Sequence, residues 1–288
     1  MYFASDASHT ATVCTALIEK MRAHPERNWL ALVDDAFDHG RPGPSLPNEH
    51  YPLYDCDGLS DLLGASPFLI VLTAHDEAQL RVELANLVRH RKERPMLSFI
   101  GTSALASSIN ENFRLFANAM TDDDQEFLLR FADTRVLAGL PHALRRAYWD
   151  GMTCLLSDWI VIGRDGIPQA LPLNPNRAPL IGGFQLSRAE FARLVSNGEA
   201  DAVLDATAES NPEALPEGSR AAIYDRVVAS CSYAQSHKVQ AFPDVVALAY
   251  LALLNDGKGL RDPNLSDMLL RSQWTAGSLI NELANFVD

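Results

Sequence analysis

The sequence predicts an α/β fold in two lobes: a mixed α/β lobe with a central sheet over residues 1–180, then an all-helical lobe over residues 181–288. Up to about residue 173, apolar runs of strand length alternate with segments of helical period. Asp165-Gly166 lies between two apolar runs, Met152–Ile162 and Ile167–Leu173, which is a strong hairpin signal. From Ser187 onward every periodic segment has helical spacing.

Taken in order, Thr10–His24 places Val13, Leu17, Ile18 and Met21 on one face, and Pro25 stops the helix. Asn28–Val33 reads as a core strand that runs out to solvent at Asp34-Asp35, and the Pro- and Gly-rich stretch Asp38–Glu49 reads as a long loop. Tyr51–Tyr54 is a short strand, Gly58–Leu63 a helical turn, and Phe68–Thr73 a strand buried on both faces. Asp76–Lys92 is a helix with the apolar stripe Leu80, Leu84, Leu87 and Val88; its acidic start and basic finish complement the helix dipole. Met96–Ile100 is a strand, and Gly101-Thr102-Ser103 opens a helix reaching about Ala117. This alternation implies a largely parallel or mixed sheet.

Phe127–Phe131 reads as a short buried strand carrying one arginine, with Asp133 and Thr134 then supplying N-cap chemistry for Val136, Leu137 and Leu140. Arg130, Asp133 and Arg135 therefore crowd a strand–helix junction. An unpaired buried charge costs several kcal/mol, so Asp133 is expected to accept from one of the two arginines and hold the turn. Pro141 starts a short helix ending near Trp149, and the lobe boundary falls in Asn174–Gly183. Ser187-x-x-Glu190 is a capping box, Asn211–Gly218 a linker, and helices are expected over Ser219–Lys238, Pro243–Asn255, Pro263–Gln273 and Ala276–Val287. Val245–Leu254, apolar on nearly all sides, is the expected centre of that lobe.

The junction also carries a resemblance. Arg130-Phe131-x-Asp133-x-Arg135-Val136-Leu137 resembles the Arg-Phe-Tyr-Asp-Pro-Arg-Val-Leu signature of the adaptor domain that accompanies type VI secretion effectors, with Ala132 in place of the tyrosine and Thr134 in place of the proline. An early Leu-Val-Asp strand, an Ala-Ser-Pro-Phe-Leu strand, a Ser-x-x-Glu-Asn-Phe helix, a Trp-containing strand pair and a helical tail follow the same order as in that family. The resemblance implies a cytoplasmic adaptor or chaperone that binds a cognate effector, stabilises it and helps load it onto a VgrG or PAAR spike. The residues themselves assemble no nucleophile with its base, no metal cage and no cofactor cradle, so no catalysis, metal or cofactor is expected. In that setting Arg130, Phe131, Asp133 and Arg135 either clamp the junction or shape a partner groove, and clamping is the plainer reading.

A net charge of −13 argues against nucleic acid and anionic membranes as partners. No run is long enough to span a membrane, and no signal peptide is visible at Met1–Asp6. Cys14, Cys56, Cys154 and Cys231 are scattered, without zinc or disulfide spacing, and Cys56 between Asp55 and Asp57 is a poor nucleophile. Asp122-Asp123-Asp124 reads as a solvated turn before a metal site, and the eight histidines are isolated.

Gly101-Thr102-Ser103-Ala104-Leu105 approaches a nucleophile elbow but has Leu105 where the last glycine belongs; a serine hydrolase using Ser103, with Asp205 and His237, is the alternative enzyme reading. A ligand-sensing regulatory module is the third. Among the aromatics, Trp274 stands in a polar stretch and is the candidate partner anchor.

Overall fold

The computed structural model describes residues 2–38, 43–44, 46–254 and 257–286. Part of the expected loop (His39–Pro42 and Ser45) and the expected helix ends at Asn255 and Val287 lie outside them. The chain forms two compact units: Ala7–Asn197, and Gly198–Asp288 together with Met1–Asp6. The sequence reading divides the chain after residue 180, so residues 181–197 fall in the sheet-bearing unit.

In that unit the elements are α1 (Thr10–Arg22), β1 (Asn28–Val33), β2 (His50–Pro52), β3 (Phe68–Val71), α2 (Glu77–Arg91), β4 (Leu97–Thr102), α3 (Ala106–Arg114), β5 (Asn118–Thr121), β6 (Glu126–Leu128), α4 (Thr134–Ala143), α5 (Arg146–Thr153), β7 (Leu156–Ile162), β8 (Pro168–Ala170), β9 (Gln185–Leu186) and α6 (Arg188–Asn197). The main sheet has the order β2-β3-β1-β4-β7-β8, and every neighbouring pair in it is antiparallel. This corrects the expectation of a largely parallel or mixed sheet. β3 and β4, linked through α2, do run the same way, but β1 lies between them, with Leu30 opposite both Val71 and Ile100. Trp29–Val33 are all buried, and a strand with apolar side chains on both faces gains most where both of its edges are paired and both faces covered.

One face of the sheet, with Ala31, Val33, Ile70 and Phe99, packs against Leu17 and Ile18 of α1 and Leu84 and Leu87 of α2. The other, with Leu30, Leu32, Ile100 and Trp159, packs against Phe113 of α3, Leu137 and Leu140 of α4 and Met152 of α5. Phe113, Trp149 and Trp159 continue this core as stacked rings. The Asp165-Gly166 hairpin joins β7 to β8 as expected, with Gly166 at φ +77°.

Three boundaries differ from the sequence reading. Gly101 and Thr102 belong to β4, and Gly101 lies so close to Trp29 of β1 that an added Cβ would stand 3.0 Å from the indole. α3 therefore begins at Ala106 behind Leu105, which makes no side-chain cap; Thr102 Oγ1 instead donates to Leu155 O at 2.6 Å and accepts from Ala104 N. The strand expected over Phe127–Phe131 stops at Leu128, because Phe131 N turns back to Leu129 O. Pro141 lies inside α4, not at the start of the next helix: it removes one intrahelical donor, while burial of Leu137, Leu140 and Ala143 carries the helix through.

A second sheet, order β6-β5-β9, has an antiparallel β5–β6 pair and a parallel β5–β9 pair. β5 and β9 were not anticipated; at four and two residues they are too short to show a period.

The second unit is helical: α7 (Glu199–Ser210), α8 (Arg220–Ser236), α9 (Phe242–Leu254), α10 (Pro263–Leu270) and α11 (Ile280–Leu283). α9 is its centre as expected, with Val245, Leu248, Ala249, Leu251 and Leu253 all buried. Residues 2–6 complete it. Ala4 is in its core, Tyr2 N donates to Asp205, and Asp6 accepts from Arg220 N and Ser219 Oγ at the start of α8.

Candidate functional site

Asp133 caps α4, accepting from Arg135 N at 3.0 Å, while the Arg135 side chain returns to the same carboxylate through Nε at 3.0 Å and Nη2 at 2.6 Å. Asp133 thus accepts from one of the two arginines, as the sequence reading expects, and the two-pronged geometry is the strong form of such a pair. Thr134 N donates to Pro95 O, which ties the start of α4 to the approach of β4. Phe131 is buried edge-on against Phe113.

Arg130 goes elsewhere. Its Nη2 donates to Asp34 Oδ2 at 2.8 Å, and Asp34 is buried, with Ala36 N as a second donor. This corrects the expectation that the chain runs out to solvent at Asp34. Burial pushes the Asp34 carboxyl above the usual carboxylate range, and the neighbouring Arg130 guanidinium offsets part of that rise. Both guanidiniums lie over Phe37, 5.3 Å (Arg130) and 5.7 Å (Arg135) from the ring centre. The family-motif residues are therefore brought together, with Asp34 and Phe37 as members that sequence reasoning missed. The signal was there in the charge count: two arginines and one aspartate leave one arginine in want of an acid.

A second polar clamp joins the start of α5 to α6. Glu190 accepts from Arg145 N at 2.7 Å, Arg145 Nη2 at 2.7 Å, Ser187 Oγ at 2.6 Å and Ser187 N at 3.0 Å. Burial works to raise its carboxyl, but these donors outweigh it and hold the group down at about 2. The capping box expected at Ser187 and Glu190 is present, with Glu190 N donating to Ser187 Oγ, and Arg145 is its unforeseen third member.

Beside β6 a cleft of about 230 Å³ is lined by Asp122, Asp123, Glu126, Phe127, Arg188 and Phe191, among others. Asp122 accepts from Arg188 N, and Asp123 accepts from Thr121 Oγ1. The Phe127 and Phe191 rings meet edge to face at 5.2 Å.

The remaining candidates stand apart from these. Ser103 is exposed in the bend before α3 and bonds no histidine among the described residues. Asp205 is engaged by Tyr2 N, and His237 by Ser266 Oγ and Tyr233 O, within the helical unit. Trp274 is half-buried on the helical core, and its indole N–H donates to the buried Asp244, which also accepts from Gly277 N and Leu279 N. Cys14, Cys56, Cys154 and Cys231 are free thiols, and burial pushes the Cys231 thiol up to about 11. Among the described residues no group of three metal-ligating side chains converges.

Residues 29–150, from β1 into α5 and including Asp34 and the whole Arg130–Arg135 box, match the family model described as "Domain of unknown function (DUF4123)". Over this stretch, which is less than half of the chain, the sequence is similar to the DUF4123 family. DUF4123 is a family of type VI secretion effector adaptor and chaperone proteins, so the resemblance read from the junction holds at family level. No curated protein and no solved structure matches the chain. Within residues 29–150 the motif residues hold the end of β1, the β6–α4 turn and the start of α4 to one another. No helix among the described residues is long and apolar enough to cross a membrane.

Proposed function

We propose that the protein is a cytoplasmic, non-catalytic adaptor that binds one cognate type VI effector, keeps it stable and helps deliver it to a VgrG or PAAR spike. The observation that carries this reading is the DUF4123 match over 29–150, which contains the Arg–Asp–Arg box. The commitment of that box to internal pairs supports a bracing role: Asp133, Arg135, Arg130 and Asp34 satisfy one another and hold a rigid surface on which a partner can dock. A net charge of −13 favours a partner with basic segments. A stable complex of this kind buries roughly 1,000 Å² or more.

The test is co-expression with the toxin encoded nearest to the gene. The adaptor should raise the soluble yield of the toxin severalfold and co-purify with it. If the toxin is equally soluble alone and does not co-purify, the reading fails.

A further inference from the structure

β6 is an edge strand: in the order β6-β5-β9 it pairs with β5 alone. The bonds Thr121 N to Gln125 O at 2.9 Å and Leu129 N to Ala117 O at 2.8 Å fix the phase of that ladder. Ala119 and Phe127 form the hydrogen-bonded pair between them, because the bonds of an antiparallel pair fall on alternate residues. Glu126 and Leu128 therefore direct their backbone N–H and C=O groups away from β5, and no backbone partner meets them among the described residues. An exposed edge of this kind is a template for another strand unless it is blunted. Of the usual blunting devices, a proline, a lysine and a bulge are absent from Glu126-Phe127-Leu128; the strand is short and carries the Glu126 charge, which selects a basic partner strand.

What flanks the edge defines what fits it. The cleft alongside has an aromatic floor, Phe127 against Phe191, and three carboxylates, Asp122, Asp123 and Glu126, against the single guanidinium of Arg188. Asp122 and Asp123 are held in place by hydrogen bonds from a backbone amide and a hydroxyl, so their charge is not cancelled by those partners.

We propose that the open edge of β6 takes an extended segment of the effector as an added strand, one that alternates basic and apolar residues. Its main chain pairs with Glu126 and Leu128, its apolar side chains lie on Phe127 and Phe191, and its basic side chains face the carboxylates of the rim. This deepens the adaptor reading and rests on it.

A fluorescent acetyl-(Lys-Val)4 amide serves as the probe on the full chain, with acetyl-(Glu-Val)4 amide as the control. The lysine peptide should bind saturably and weaken as salt rises, and the glutamate peptide at least tenfold more weakly. Glu126→Pro deletes an outward N–H without touching the ladder to β5, and should weaken the lysine peptide at least tenfold while the thermal midpoint stays within a few degrees. On the unaltered chain, the peptide should slow amide exchange at Glu126 and Leu128. Equal binding of both peptides, undiminished binding by Glu126→Pro, or protection only elsewhere overturns the site. In co-purification with the neighbouring toxin, recovery by the unaltered chain but not by Glu126→Pro supports it. Recovery by both overturns the site and leaves the adaptor reading standing; recovery by neither overturns that reading and the site with it.

Discussion

Glu190 shows at the scale of one residue how a carboxylate can be buried at a profit. Its side chain is 2% exposed, yet the donors from Arg145 and Ser187 bring its carboxyl down from 4.5 to about 2. A depressed carboxylate adds stability that is present above the unfolded-state value and is lost as pH falls through the folded one. The shift has a ceiling of about 3 kcal/mol, and because the Arg145 side chain is 49% exposed, screening reduces it to about 1–2 kcal/mol. In urea unfolding of the sheet-bearing unit, followed by the fluorescence of Trp29, Trp149 and Trp159, the native chain should lose this increment between about pH 4.5 and about pH 2. Glu190→Gln should be less stable at pH 7 by about that amount and lack that part of the acid loss; parallel pH curves would refute the clamp. The Asp133–Arg135 pair is likewise a two-pronged contact, and its sequence signal was plain because the partners are two residues apart. Asp34, 96 residues from Arg130, gave no such signal.

Among the helices, α2 is one whose limits the sequence predicts to within a residue at each end. Asp76 caps it, accepting from Gln79 N, and Leu80, Leu84, Leu87 and Val88 are buried as the spacing requires. Its far end carries strain that the pattern does not reveal: Lys92 has φ +52° and ψ −116°, a conformation that residues with a Cβ adopt only at a cost. Arg91 reaches Lys92 only through its carbonyl, a contact any residue can supply. Lys92→Gly should therefore raise the thermal midpoint by a few degrees, on the order of 1 kcal/mol; a lower midpoint in calorimetry would show that the lysine side chain makes up for its backbone. The elements misread from sequence fail for stated reasons. Gly101 looks like part of a turn but is the gap that Trp29 fills. Pro141 looks like a helix start, yet the apolar residues around it keep α4 going.

Across the whole molecule, the division of the chain is not the division of the sequence. Residues 2–6 belong to the helical unit, where Ala4 is buried and Asp6 meets the start of α8, although nearly two hundred residues separate them from the rest of that unit. Removing residues 2–6 should lower the unfolding midpoint of the helical unit, read from Trp274 fluorescence, and leave the transition of the sheet-bearing unit where it was. If both transitions shifted equally, the assignment of this segment would be wrong. The sequence by itself determined most of the helices and the longer strands, the two-part α/β-then-helical order, the cap at Asp133, the box at Ser187 and the resemblance to the adaptor family. All of these rest on residues close together in the chain, where period and capping chemistry are local. Only the tertiary structure decided that the main sheet is antiparallel, that Asp34 answers Arg130, that β5, β6 and β9 form a second sheet with an open edge, and where residues 2–6 pack. Each of those depends on groups far apart in sequence meeting to bury apolar surface or to satisfy a charge, and local spacing carries no record of which distant group will do so.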